Sequence, residues 1–200
     1  MNTIAEKSYK KATQALNYYA TRKDGSINKM KAIKLIYLAD RLHLRKYGRP
    51  IVGDRYVAMK WGPVGSKTKN LAELVQLPDD VLSYAKKFIK PTEDKNTVQS
   101  LKAVDLDVFS KTDIECFDEV YKEFADKDQF ELARLTHEYP EWAKYKKDIE
   151  TGKKKSVPMS YEDFFSDGKT EKIFTQDKQS LSLAKELFEE GKEIAEFFSN

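Results

Sequence analysis

The segment from Asn28 to Tyr47 constrains this chain more than any other, because it reads as one long helix with apolar residues on more than one flank. At about 100° per residue, Ile33, Ile36, Asp40 and His43 fall on one side, and Leu35, Leu38 and Leu42 form another flank. Lys31, Lys34, Arg41 and Arg45 gather opposite the first side. This spacing predicts a helix close to the centre of the fold, with a basic stripe turned away from a mostly apolar face. Gly48 follows as a left-handed cap.

The remaining segments arrange themselves around that helix. Thr3 with Glu6 makes a capping box for a first helix, which carries Ile4, Tyr9, Ala12, Leu16 and Tyr19 inward and stops at Lys23-Asp24-Gly25-Ser26. Arg55 to Trp61 is rich in β-formers, with Gly62-Pro63 ending it, and a helix follows over about 65–76. Thr97 to Val104 reads as a second strand whose natural partner is the first. Ser110 with Asp113 opens a helix burying Ile114, Phe117, Val120, Tyr121 and Phe124. Asp128 with Glu131 opens the next, which runs to His137 before Pro140. Lys144 to Lys155 forms a basic connector, and Ser160 with Asp163 caps a short helical turn. Leu181 to Phe198 aligns Ala184, Leu187, Phe188, Gly191, Ile194, Ala195 and Phe198 at helical spacing. The expected fold is mainly α: a helical domain over 1–167 with a two- or three-stranded antiparallel β element, then an amphipathic helical extension over 168–200. That extension packs on its own domain, on a second copy or on a partner, and folding back is the base expectation.

Composition narrows the function classes. The 200 residues are 40% hydrophobic, enough for a core, and the net charge of +3 points to no polyanionic partner. A single cysteine, Cys116, allows no internal disulfide and fits a reducing cytoplasm. With His43 and His137 as the only histidines, a typical zinc site lacks ligands, and no metal or cofactor is expected. The longest apolar run, Leu35 to Ala39, is far short of the roughly 20 residues of a membrane span.

Several residues carry candidate chemistry, each with a structural alternative. Asp40 and His43 lie three apart on one helix face, within reach of a charge-assisted hydrogen bond. They read either as an acid–base couple or as a tie to a neighbouring strand or loop, and no nucleophile or metal ligand stands at an interpretable spacing. Trp61-Gly62-Pro63-Val64 reads as a rigid corner under a packed tryptophan, or as a turn whose rim meets a partner. His137 ends a helix, where a cation favours the dipole. Trp142 is either core or an interface anchor.

Three segments together resemble a known family. They are Lys34-Leu35-Ile36-Tyr37-Leu38-Ala39-Asp40 with His43 and Gly48-Arg49-Pro50, then Ala58 to Val64 (AMKWGPV), then Leu135-Thr136-His137 with Pro140 and Trp142. Their order and spacing resemble the Panacea (SocA-like) antitoxin domain, related to phage-associated proteins, over roughly residues 5–165. The resemblance implies a non-enzymatic antitoxin that neutralises a cognate toxin, encoded beside it, by direct protein binding. It also implies partner-binding roles for Lys34, Tyr37, Asp40, His43, Trp61, Gly62, Pro63, His137 and Trp142. A homodimer is open. The competing reading is a phage- or plasmid-associated nucleic-acid-binding regulator, with the basic stripe and the connector lysines on phosphates. No helix-turn-helix extension supports that reading.

Overall fold

The structure, a computed structural model, describes residues 3–168 and 172–198. Helix α1 spans Thr3–Arg22 and helix α2 spans Lys29–Tyr47. Asn28 caps α2 by accepting from the Lys31 N–H at 3.1 Å, and Gly48, at φ 69°, returns its N–H to Leu44 O at 2.9 Å. The Thr3–Glu6 capping box falls outside the described side chains. Every residue of α2 from Lys31 to Arg45 is buried, so the helix is enclosed on all sides. It packs against α1, against α5 (Lys111–Phe124) and α6 (Gln129–Thr136), and against α9 (Lys178–Phe197). Both α5 and α6 open on complete capping boxes, Ser110 with Asp113 and Asp128 with Glu131, as their spacing predicts.

The strand pairing differs from expectation. The described residues form two three-stranded antiparallel sheets, and the two predicted strands lie in different ones. Strand β2 (Tyr56–Met59) turns through Lys60-Trp61 and pairs with β3 (Gly62–Gly65), placing Met59 opposite Gly62. Its other edge takes β6 (Ser156–Pro158). Strand β5 (Thr97–Ser100) sits between β1 (Ser26–Asn28) and β4 (Ile89–Pro91). Gly62 at φ 89° thus reverses the chain into a hairpin where the sequence suggests a strand end. Pro63, Pro91 and Pro158 all lie on outer strands, the positions where a missing N–H leaves no central ladder bond open.

Three shorter helices, α3 (Ser66–Glu73), α4 (Asp79–Ala85) and α7 (Pro140–Ala143), complete the enclosure, and α8 (Lys146–Glu150) lies within the basic connector. After Ser160 the chain forms a short 3-10 turn over Tyr161–Phe165, but the Ser160 hydroxyl bonds Glu162 and leaves Asp163 to Lys144. Helix α9 crosses the end of α2 at Gly48, where an added Cβ would stand 2.5 Å from Ala184 O and 2.7 Å from Leu187 Cβ. Only Ala184 of α9 is fully buried, and Phe188 rests on Tyr161 and Phe165. Among the described residues, no helix is long and apolar enough to cross a membrane.

Candidate functional site

The basic stripe of α2 is not on the surface. Lys31 reaches Ala125 O, and Lys34 donates to Pro63 O at 2.7 Å. Arg41 donates through Nε to Glu141 at 2.9 Å and lies over the Tyr139 ring, 4.3 Å from its centroid. Arg45 donates to the Phe164, Ser166 and Phe174 carbonyls and to Asp167. These arginines fasten residues 164–167 and Phe174 onto α2, where their guanidinium forks satisfy backbone oxygens that α2 itself could not reach. The stripe expected to meet phosphates or a partner is therefore internal.

Asp40 and His43 share a helix face but not a hydrogen bond in this structure. The Asp40 carboxylate accepts from the Ile51 N–H at 2.9 Å, the Val52 N–H at 2.8 Å and the Tyr56 hydroxyl at 2.9 Å, with Gly53 N–H further off. Burial pushes its pKa up to about 6 despite these donors. His43 bridges Arg49 O at 2.8 Å and Thr112 Oγ1 at 3.0 Å, with Nε2 also 3.1 Å from Asp113. Burial raises the Asp113 carboxyl, yet hydrogen bonds from His43, Lys11 and the Ser110 N–H outweigh it and hold the group below the usual range. Tyr37 donates to Glu141. All three predicted residues are fully buried, so each ties α2 to a loop or helix and offers no side-chain surface.

The other six predicted residues converge on the β2–β3 hairpin. An added Cβ at Gly62 would stand 2.5 Å from Thr136 Oγ1 and 2.8 Å from Lys34 Nζ, so only glycine lets these three meet. Pro63 supplies the carbonyl for Lys34. The His137 ring stacks on Trp142, centroids 3.7 Å apart and planes 11° apart, and Trp142 donates to Met59 O at 3.0 Å. Burial, with Lys34 and Lys146 nearby, lowers His137 to about 4, so it is neutral at pH 7 and not the helix-end cation expected. Trp142 is core. Trp61 is the one predicted residue that faces solvent, 53% exposed, with its ring set edge-on to Phe130.

Beside Trp61 lies a groove of about 300 Å³, floored by Met30, Ile33, Met59 and Val64. Lys29, Lys34, Lys60, Lys69 and Lys155 border it, and its one acid, Glu73, is bound by Lys29 at 2.8 Å and Lys69 at 3.1 Å. Lys34 is 1% exposed, and among the described residues it meets no carboxylate. Desolvation lowers its pKa to about 7. The arrangement suits an apolar anchor flanked by carboxylates: the floor removes it from water while the lysines answer its charge. The sequence reading missed Phe130, Met30 and Met59. Phe130 was detectable, because it lies off the Leu132–Leu135 stripe of α6. Among the described residues, no cluster of His, Cys, Asp and Glu could hold a metal ion. Cys116 is buried and its thiol is pushed up to about 12, chiefly by desolvation.

Comparison with known proteins agrees with the motif reading. No curated protein and no solved structure matches the chain. A family model described as "Antitoxin SocA-like, Panacea domain" matches residues 33–143, which run from α2 through the hairpin to the His137–Trp142 stack. The chain therefore belongs to the SocA-like, Panacea-domain antitoxin family.

Proposed function

We propose that this protein is an antitoxin that neutralises a cognate toxin by gripping it directly, without making or breaking a bond. The family match over 33–143 carries the reading. The matched segments supply the hairpin, the exposed Trp61–Phe130 edge and most of the lysine-bordered groove. Trp61 serves as the anchor, since tryptophan at the rim of an apolar depression supplies much contact area at little entropic cost. Lys34, Gly62, Pro63, His137 and Trp142 support that edge from beneath. Tyr37, Asp40 and His43 hold the scaffold. Asp40 and His43 already have internal partners, which favours this scaffold role over proton transfer.

The nucleic-acid reading has less to rest on. The α2 stripe is buried, and the connector lysines Lys146, Lys153 and Lys154 face Glu150 and Asp148.

Co-expression with the product of the neighbouring gene tests the proposal. Growth is expected to recover, a complex is expected to co-elute, and Trp61→Glu is expected to abolish both while leaving the melting temperature unchanged. A harmless neighbouring product, or rescue with no complex, would overturn it.

A further inference from the structure

Helix α9 leaves an apolar stripe uncovered. Leu183, Leu187, Ile194, Phe197 and Phe198 are 47–81% exposed. At about 100° per residue they lie on one side of the helix with Gly191, beside the Ala184–Phe188 face that packs on the domain. The outer flank of that stripe is acidic: Glu186, Glu190 and Glu193 are all exposed, and Glu190 and Glu193 meet no cation among the described residues.

This charge pattern argues against α9 pairing with itself. In an antiparallel two-fold pair each flank faces its own symmetry mate, so the row of glutamates would meet another row of glutamates. The complementary surface on this molecule is the groove at Trp61. It has an apolar floor, and among the described residues its rim lysines Lys60 and Lys155 have no carboxylate partner.

The tail cannot reach the groove of its own chain. Leu187 sits at Gly48, the far end of α2, while the groove begins at Ile33, about 22 Å back along that helix. From Leu187 to Phe198 the helix extends only about 16 Å, and its Lys192 is tied to Glu162.

We propose that the end of α9 from one copy docks in the lysine-bordered groove of a second copy, with Phe197 and Phe198 on the apolar floor and Glu190 and Glu193 against the lysines. A two-fold exchange satisfies both grooves and both tails and closes the assembly at a dimer. The exchange covers the Trp61 edge assigned above to the toxin, so self-association and toxin capture compete. It does not depend on the toxin reading, because it is measured on the chain alone.

The test is sedimentation of the full chain up to about a hundred micromolar, a range in which even a small interface assembles. The wild type is expected to be dimeric. Phe197→Glu with Phe198→Glu, and separately Lys60→Glu with Lys155→Glu, are each expected to weaken dimerisation at least tenfold, with circular dichroism preserved and the melting temperature matching the wild type at dilutions where both are monomeric. Mixing the two variants is expected to restore a 1:1 heterodimer, because one intact tail then meets one intact groove. A wild type that stays monomeric throughout overturns the proposal. So does a groove variant that still dimerises, which would place the contact between tails. A wild type that dimerises as expected but forms no complex with the toxin would instead count against the toxin surface alone.

Discussion

Replacing Lys34 with methionine separates the cost of burying a charge from the value of the bond it makes. Lys34 is 1% exposed, donates to Pro63 O at 2.7 Å and meets no carboxylate among the described residues. Desolvation brings its amine from 10.5 down to about 7 in the folded protein. In the unfolded chain the proton stays until about pH 10.4. Between pH 7 and 10 the unfolded state therefore binds more protons, and this group makes the wild type more stable as pH rises. Below pH 7 both states are charged and the desolvation cost acts in full. At about 1.4 kcal/mol per unit, the shift corresponds to about 5 kcal/mol in total, of which roughly 3 falls between pH 7 and 9.5. Methionine keeps the length and the apolar contacts but loses the bond to Pro63, worth about 1.5–3 kcal/mol. Lys34→Met is thus expected to be about 2 kcal/mol more stable than the wild type at pH 6, with the advantage gone near pH 8.5 and reversed by about 1 kcal/mol at pH 9.5. Denaturant unfolding of both proteins from pH 6 to 9.5 measures it, and titrations common to the two cancel in the difference. A difference that stays constant within about 1 kcal/mol over that range refutes the burial of an uncompensated charge.

Three further outcomes follow from the same geometry. Asp40→Ala strands the Ile51 and Val52 N–H groups and the Tyr56 hydroxyl, so it is expected to cost about 3–5 kcal/mol and about 10 °C of melting temperature, with Asp40→Asn costing less; calorimetry decides. Gly62→Ala combines a left-handed backbone with a Cβ 2.5 Å from Thr136 Oγ1, and is expected to destabilise by about 2–4 kcal/mol in chemical denaturation, partly relieved by Thr136→Ala. His137, lowered to about 4 against about 6.5 unfolded, contributes stability that is present above pH 6.5 and lost as pH falls towards 4. Its ring is expected to titrate near pH 4 by NMR, and His137→Phe is expected to remove that slope while keeping the stack on Trp142.

Features set by residues close together in the chain were readable without the fold. The capping boxes at Ser110 and Asp128 could be read from a spacing of three, because an N-cap and its partner lie within one helical turn. The enclosure of α2 was legible because apolar residues occupy more than one of its flanks, and the family was legible because its motifs are short runs within single elements. Features governed by long-range contacts became visible in the folded chain alone. A cation on a helix reads as solvent-facing until something distant covers it; Arg41 meets Glu141, 100 residues on, and Arg45 meets carbonyls near residues 164 and 174. Strands of three or four residues have little pattern to specify a partner, so the hairpin at Gly62 and the split into two sheets could be read only from the tertiary structure. The exposure of Trp61 and the burial of Trp142 were settled in the same way, since helical or strand period fixes where a side chain sits on its own element but not what another element lays over it.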